Sequence, residues 1–317
     1  MSLDVVTFGE SMAMFIADQV GQLHKATNFT LALSGAETNV AVGLSRLGYK
    51  VGWASKVGED PFGKFIMESL QKEGVDTTCV SVDQRYPTGF QLKSKVLMGD
   101  PEVKYYRKGS AASTLAAEDI VSSYFTNASH LHMTGIPPAL SESTKEFAKC
   151  VLGKMKAAKG TISFDPNLRP KLWSSQKEMV TTINELAVQA DWVLPGLSEG
   201  EILTGYSKPK DIAAYYLDRG VKVVVIKLGT QGAYYRTATE ENIIPGFKVK
   251  KVVDTVGAGD GFAVGFISGL LDGLSLKEAA IRANAIGALA VMSSGDMEGL
   301  PTRQQLETFI TNNKWGV

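Results

Sequence analysis

The sequence predicts an α/β protein: a doubly wound, mostly parallel sheet flanked by helices, with a small β-sheet lid. Three observations predict it. Short β-branched runs alternate with helix-length apolar patterns along most of the chain, as in a parallel sheet covered on both faces. That alternation is interrupted at 89–107 by the extended, turn, extended pattern of an antiparallel hairpin. Near the C-terminal end a glycine-rich stretch, Val253-Asp254-Thr255-Val256-Gly257-Ala258-Gly259-Asp260-Gly261-Phe262, joins a β-branched run at 249–253 to an apolar, small-residue segment at 262–271. A strand, a glycine turn and a helix start in that order suit an anion, because free N–H groups at a helix start attract negative charge.

The elements follow in order. Residues 4–10 read as a buried first strand ending at Gly9, and 12–16 and 29–33 as short extended pieces between polar turns. A helix opens at Ser34-Gly35-Ala36-Glu37-Thr38-Asn39, runs to Leu47 and stops at Gly48, a residue that suits helix ends. A strand at 51–57, a turn at 58–63 and a helix at 64–73 come next. Residues 89–98 alternate, Gly99-Asp100-Pro101-Glu102 turns, and 103–107 extend again. With the pieces at about 12–33, the segment at about 88–110 forms a lid inserted in one domain spanning 1–317, beside the glycine turn. The alternation then resumes. Strands are predicted at 130–133, 161–165, 191–194 and 221–228, and helices at 143–158, 175–190, 199–203 and 212–219. A meander at 233–236 and 242–244 precedes the glycine stretch, and Ser275 with Glu278 forms a capping box ahead of a helix at 276–292.

Composition narrows the function. The 317 residues are 44% hydrophobic and carry 33 basic and 33 acidic side chains, so no charge excess points to nucleic acid or an anionic membrane. Cys79 and Cys150 lack metal or redox spacing, which fits a reduced, cytoplasmic protein. Asp4 and Glu10 interrupt the apolar start, so no secretory signal is expected, and no apolar run is long enough to span a membrane.

Three glycine-rich turns compete for a phosphate. Gly58-Glu59-Asp60-Pro61-Phe62-Gly63-Lys64 is close to a P-loop, but Phe65 stands where a hydroxyl must ligate magnesium, so it reads as a structural turn. A dinucleotide fingerprint at Gly257-Ala258-Gly259 fails because Phe262 holds the third glycine position, which disfavours a nicotinamide-dependent dehydrogenase. The third reading is phosphoryl transfer, which needs an anion site, an aligned hydroxyl and a base. Asp260 would be that base, and a helix N-terminus would keep it anionic and weak. On spacing alone, Asp260 also reads as a simple helix cap.

Asp254-Thr255-Val256-Gly257-Ala258-Gly259-Asp260, followed by Gly265-Phe266, resembles the C-terminal signature of the PfkB/ribokinase family of carbohydrate kinases. Ser34-Gly35-Ala36-Glu37-Thr38-Asn39-Val40-Ala41, with Gly48 and the turn at 58–63, resembles that family's N-terminal signature. The resemblance implies a ribokinase-like fold, ATP with Mg2+, Asp260 as catalytic base, and Gly257, Ala258 and Gly259 as the anion hole. It implies that Lys227, Gly229 and Gly232, in Lys227-Leu228-Gly229-Thr230-Gln231-Gly232, border the nucleotide, with Gly229 and Gly232 admitting it closely. Asn284 would line the adenine pocket or else sit as a helix-surface amide. Glu199, in Gly196-Leu197-Ser198-Glu199, would meet Mg2+ through water, although Gly196 replaces the family's Asn. Monovalent-cation activation occurs in parts of this family, and Asp254 with Ser293-Ser294-Gly295 could offer oxygens. Pairing of lids into a homo-oligomer is a further implication.

The acceptor is read from the lid. Tyr105 and Arg107 share one face of a strand, and Arg169 follows another strand in Asp165-Pro166-Asn167-Leu168-Arg169-Pro170. Two arginines at one pocket would suit a carboxylate, though each could instead pair at the surface or contact ATP phosphates. Both stretches are similar to the 2-keto-3-deoxygluconate kinases of the family. That similarity implies phosphorylation of the 6-hydroxyl of this small sugar acid, in a pocket lined by Gly35, Asn39, Phe90, Tyr105, Arg107, Ile136 and Arg169. Asn39 also reads as a helix-start amide, and Glu37 has no assigned role. His130 and His132 lack companion ligands and read as buried strand histidines. A kinase of a neutral sugar such as fructose or ribose, or of a nucleoside, and a non-catalytic sugar-binding relative stand as the alternatives.

Overall fold

In the computed structural model, which describes residues 2–96 and 101–313, the strands form two sheets. In chain order the strands are β1 (Val5–Phe8), β2 (Met12–Val20), β3 (Phe29–Ser34), β4 (Val51–Gly58), β5 (Val80–Asp83), β6 (Phe90–Lys95), β7 (Val103–Tyr106), β8 (His130–Thr134), β9 (Thr161–Asp165), β10 (Trp192–Val193), β11 (Val223–Lys227), β12 (Ala233–Arg236) and β13 (Glu241–Ile244). The helices are α1 (Ala36–Arg46), α2 (Pro61–Lys72), α3 (Ser122–Thr126), α4 (Pro137–Leu140), α5 (Glu142–Ala157), α6 (Gln176–Ala187), α7 (Leu197–Thr204), α8 (Pro209–Leu217), α9 (Ala258–Leu271), α10 (Leu276–Ala290) and α11 (Arg303–Asn312).

The large sheet runs β13-β12-β11-β10-β9-β8-β1-β4-β5. It is parallel from β5 to β11, and β12 and β13 continue it antiparallel. From β1 the chain builds outward through β4 and β5, then returns to the other side of β1 and builds through β8 to β11. The reversal between β1 and β8 opens a crevice at the carboxyl ends of the strands, where such sheets bind ligands. The residues that follow β1, β8, β9 and β11 therefore converge on one edge.

Apolar side chains fill both faces. Trp53, Leu44, Ile66, Phe266 and Ile286 lie in one core, and Phe8, Leu131, Phe147, Phe164 and Tyr216 in the other. Helix α9 is apolar all round and buried from Asp260 to Gly269, so the start of this helix is held against the sheet. The turn at 58–63 is structural: Asp60 caps α2 by accepting from Gly63 N at 2.8 Å and also accepts from Thr88 N at 2.7 Å, just ahead of β6.

The small sheet runs β3-β2-β6-β7. Its β2 pairs antiparallel with β3 and parallel with β6, and β6 pairs antiparallel with β7. The turn expected at 99–102 falls partly on residues 97–100, outside the described residues. One expected strand is absent. Residues 249–253 are assigned no strand, and Val252 and Val253 are 53% and 45% exposed. A β-branched run needs a partner edge, and this one instead reaches Val291 O through Val253 N at 2.8 Å. The glycine turn is thus carried by an extended segment leaning on the end of α10.

Candidate active site

Gly257 is the N-cap of α9 and has φ +81°, a conformation that favours glycine. A Cβ there would lie 2.3 Å from the carbonyl oxygen of Asp296, so the glycine lets the turn close on the loop after α10. Ala258, Gly259 and Asp260 form the first helical turn, whose N–H groups have no acceptor within the helix. Gly35, at φ +151°, is the other point of close approach: a Cβ would meet Glu10 O and Thr38 Oγ1, both at 2.7 Å. The two glycines bring the starts of α1 and α9 to the same cavity.

The Asp260 carboxylate is 9% exposed. It accepts from Asn39 Nδ2 at 2.7 Å and from Asn167 Nδ2 at 3.3 Å. Burial pushes its pKa up to about 7, against the Asn39 hydrogen bond, which lowers it; the Asp165 charge adds to the rise. The sequence expectation of a weak base is therefore corrected, because desolvation outweighs the helix-start field. A carboxylate with a pKa near neutrality is well matched to general-base work.

Around it lies a cavity of about 350 Å³. Gly35, Asn39, Tyr105, Arg107, Ile136, Arg169, Glu199, Lys227, Gly257, Gly259 and Asp260 border it. Lys227, at the end of β11, pairs with Asp165 at 2.7 Å. Burial opposes its charge, but Asp165 and then Glu199 outweigh that and raise its pKa. It stays an ammonium beside the start of α9, where a Cβ on Gly259 would lie 3.6 Å from its Nζ. Arg169 is exposed at the rim and donates to Leu168 O at 3.0 Å.

Several expected roles change. Arg107 reaches the cavity, but its guanidinium is bound to buried Glu10, with Nε at 2.6 Å and Nη2 at 2.5 Å from Oε2. It is not a free half of a carboxylate clamp. Phe90 does not line the cavity. It stacks on Tyr106 at 4.7 Å within a cluster that includes Phe15 and Phe62, because antiparallel pairing sets Phe90 opposite Tyr106 and Gln91 opposite Tyr105. Period-two alternation thus assigns Gln91 to the cavity. Asn284 is neither a surface amide nor a cavity residue: it is buried and donates to Ile244 O and Pro245 O, each at 3.1 Å. Gly229 and Gly232, expected to border the nucleotide, are not among the residues lining this cavity, and Gly232 makes room for backbone, since a Cβ would sit 2.0 Å from Ile244 O. Glu37 lies beneath the site, bonded to Thr134 Oγ1, and burial raises it to about 7. His130 and His132 are buried and bonded to Thr161 and Ser163, and burial lowers His132 to about 3.

The sequence reading missed Gln91, Lys93 and Asp296, and gave Asn167 no role. Asn167 holds φ +40°, which aims its amide at Asp260. Gln91 donates to Ser34 Oγ at 2.9 Å. The carbonyl oxygens of Gln91, Asn39 and Asn167 are buried with no partner among the described residues, and all three side chains border the cavity. Three committed amides presenting acceptors suit a ligand that brings hydroxyl donors.

Among the described residues no group of three or more His, Cys, Asp or Glu side chains could hold a metal ion, and no helix is long and apolar enough to cross a membrane. Glu199 accepts from Gly196 N at 2.7 Å and Leu168 N at 2.8 Å. Each oxygen keeps a lone pair, so the carboxylate fits the outer shell of a hydrated Mg2+.

A profile described as pfkB family carbohydrate kinase matches residues 2–303. The chain is 58% identical over 312 residues to 2-dehydro-3-deoxygluconokinase of Bacillus subtilis (strain 168), covering 98% of this chain and 96% of the relative. A PfkB protein from Polaromonas sp. JS666 superimposes with a TM-score of 0.90 at 47% identity, covering 96% of this chain and 99% of that one. An E. coli protein provisionally assigned as ribokinase II, in complex with ATP and Mg2+, superimposes with a TM-score of 0.90 at 31% identity, covering 98% and 99%.

Proposed function

This chain belongs to the pfkB family of carbohydrate kinases, and from that premise we propose that it phosphorylates the 6-hydroxyl of 2-keto-3-deoxygluconate. The observation that carries the reading is one cavity holding Asp260 at a helix start, Arg169 at the rim and three unpartnered amide oxygens. The Bacillus subtilis relative is named for this reaction.

In the proposed mechanism the amide oxygens of Asn39, Gln91 and Asn167 accept hydrogen bonds from the hydroxyls of the sugar and hold it. Arg169 takes the carboxylate, since guanidinium matches it in charge and shape. Asp260 accepts the proton of the 6-hydroxyl as the sugar oxygen bonds to the γ-phosphorus of ATP. The bond from that phosphorus to the bridging oxygen breaks, and ADP leaves. N–H groups of the turn at 257–260 and the Lys227 ammonium face the charge that builds on the transferring phosphoryl group. Glu199 would hold a water of an ATP-bound Mg2+, whose charge would offset that of the phosphates.

The Arg107–Glu10 pair favours a second reading, a neutral-sugar acceptor, because it leaves Arg169 as the less committed cation at the acceptor end. Arg169→Ala separates the two. For an acid acceptor the KM for the sugar rises about 10- to 100-fold, the worth of a charged hydrogen bond, while the KM for ATP changes little. Equal rises in both constants, or no rise in either, contradict the carboxylate role.

A further inference from the structure

Monovalent-cation activation occurs in parts of the family, and Asp254 with the 293–295 segment could offer oxygens for it, but the surroundings of the Asp254 carboxylate do not fit a free cation. Lys93 Nζ lies 2.6 Å from Asp254 Oδ2 and 3.2 Å from Asp296 Oδ1. Its side chain is 3% exposed; Asp296 is buried with it, and the Asp254 side chain is 10% exposed. A free cation at Asp254 would sit against a fixed ammonium with little water to screen it.

We propose that Lys93 is the built-in cation of the phosphoryl-transfer site: carried on β6 of the small sheet, it pairs with both Asp254 and Asp296, offsets one of their two negative charges and makes turnover independent of free monovalent cations. This rests on the kinase reading above.

The two carboxylates frame the glycine turn. Asp254 Oδ1 accepts from Val256 N at 3.1 Å, one residue before Gly257. The carbonyl oxygen of Asp296 packs on Gly257 where a Cβ would stand. Ser34 Oγ donates to Asp296 Oδ2 at 2.5 Å, in the strand that precedes Gly35. Left unpaired, the two negative charges would repel an arriving phosphate and each other. Lys93 offsets part of that repulsion and ties the small sheet to the turn, which makes it a positioning residue. Gln91, two residues earlier, follows the same inward stripe.

The test uses the full chain in choline chloride against potassium chloride at a fixed ionic strength of about 0.1 M, so that only ion identity changes. Expected for the wild type is the same kcat and the same melting temperature in both salts. Expected for Lys93→Met is a kcat lower by about tenfold or more in choline chloride, with potassium restoring part of the kcat and raising the melting temperature. A wild-type kcat that climbs saturably by about fivefold or more with potassium overturns the proposal. So does a folded Lys93→Met protein with wild-type kcat in choline chloride, or one that is inactive and indifferent to potassium in both readouts. If Lys93→Met fails to fold, the wild-type comparison decides alone. If the wild type releases no ADP with any sugar or sugar acid, the kinase reading has failed, while the melting comparison still judges Lys93.

Discussion

Asp260→Asn is expected to lower kcat by about 10²- to 10⁴-fold, the usual worth of a positioned general base, with ATP binding nearly unchanged. Asparagine keeps the volume of the side chain and a carbonyl oxygen for Asn39, which donates to Asp260 at 2.7 Å. What it removes is the ability to take the hydroxyl proton. The pH profile carries the same signature. Burial sets Asp260 at about 7, so the wild-type rate rises with pH through that value, as the carboxyl loses its proton, and falls on the acid side. The residual rate of the Asn variant lacks that limb. Stability moves the opposite way. An unfolded Asp titrates at about 3.9, so the folded protein loses stability as pH rises from about 4 through 7, where the buried carboxyl is forced to ionise. The Asn variant escapes that loss. Its melting temperature relative to wild type is therefore higher at pH 8 than at pH 5, a stability gain bought with activity. Retained turnover, or a wild-type profile flat through neutrality, contradicts the assignment of the base.

Two alanine substitutions in the turn separate shape from chemistry. At Gly257 the methyl would stand 2.3 Å from Asp296 O and the backbone holds φ +81°, so Gly257→Ala must displace the turn. The expected result is a melting-temperature loss together with a kcat lower by about 10²- to 10³-fold, the effect of losing an oxyanion-type donor. At Gly259, among the described residues and apart from its own helix turn, an added Cβ meets Lys227 Nζ alone within 4 Å, at 3.6 Å. Gly259→Ala is expected to melt like the wild type yet lose a similar factor in kcat, because the methyl occupies the space where the phosphate meets the turn. Equal kcat for Gly259→Ala and wild type contradicts an anion site here. The paired measurement is differential scanning fluorimetry beside steady-state kinetics.

Much of the fold was legible in the sequence because its signals are local. The β-then-α alternation, the stop at Gly48, the Ser275 and Glu278 box and the hairpin texture of the small sheet each reflect near neighbours, and the corresponding elements form. The misread strand at 249–253 had the right residue types but no partner edge, and pairing is not local information. Motifs mark the two tight glycine positions, Gly35 and Gly257, and both border the same cavity. The site was misread where the outcome depends on register or on a distant charge. Phe90 and Gln91 are neighbours in sequence, and only the pairing of β6 with β7 decides which one faces the cavity. Whether Arg107 pairs or stays open to a ligand was undecided in the sequence because Glu10 stands 97 residues away in the chain. Lys93 was passed over for the same reason: its two carboxylates lie 161 and 203 residues downstream. The raised pKa of Asp260 needed the burial of a whole helix start, which no short window of sequence contains.

The most direct test of the central claim is ADP release by the wild-type protein, with ATP and magnesium, over a panel of 2-keto-3-deoxygluconate, gluconate, fructose and ribose. The account predicts a kcat/KM for the keto-deoxy acid about 10²-fold or more above the neutral sugars, because the site's charged and amide groups are left unpaired by the wrong acceptor. Fructose or ribose turning over as efficiently as the acid would contradict it.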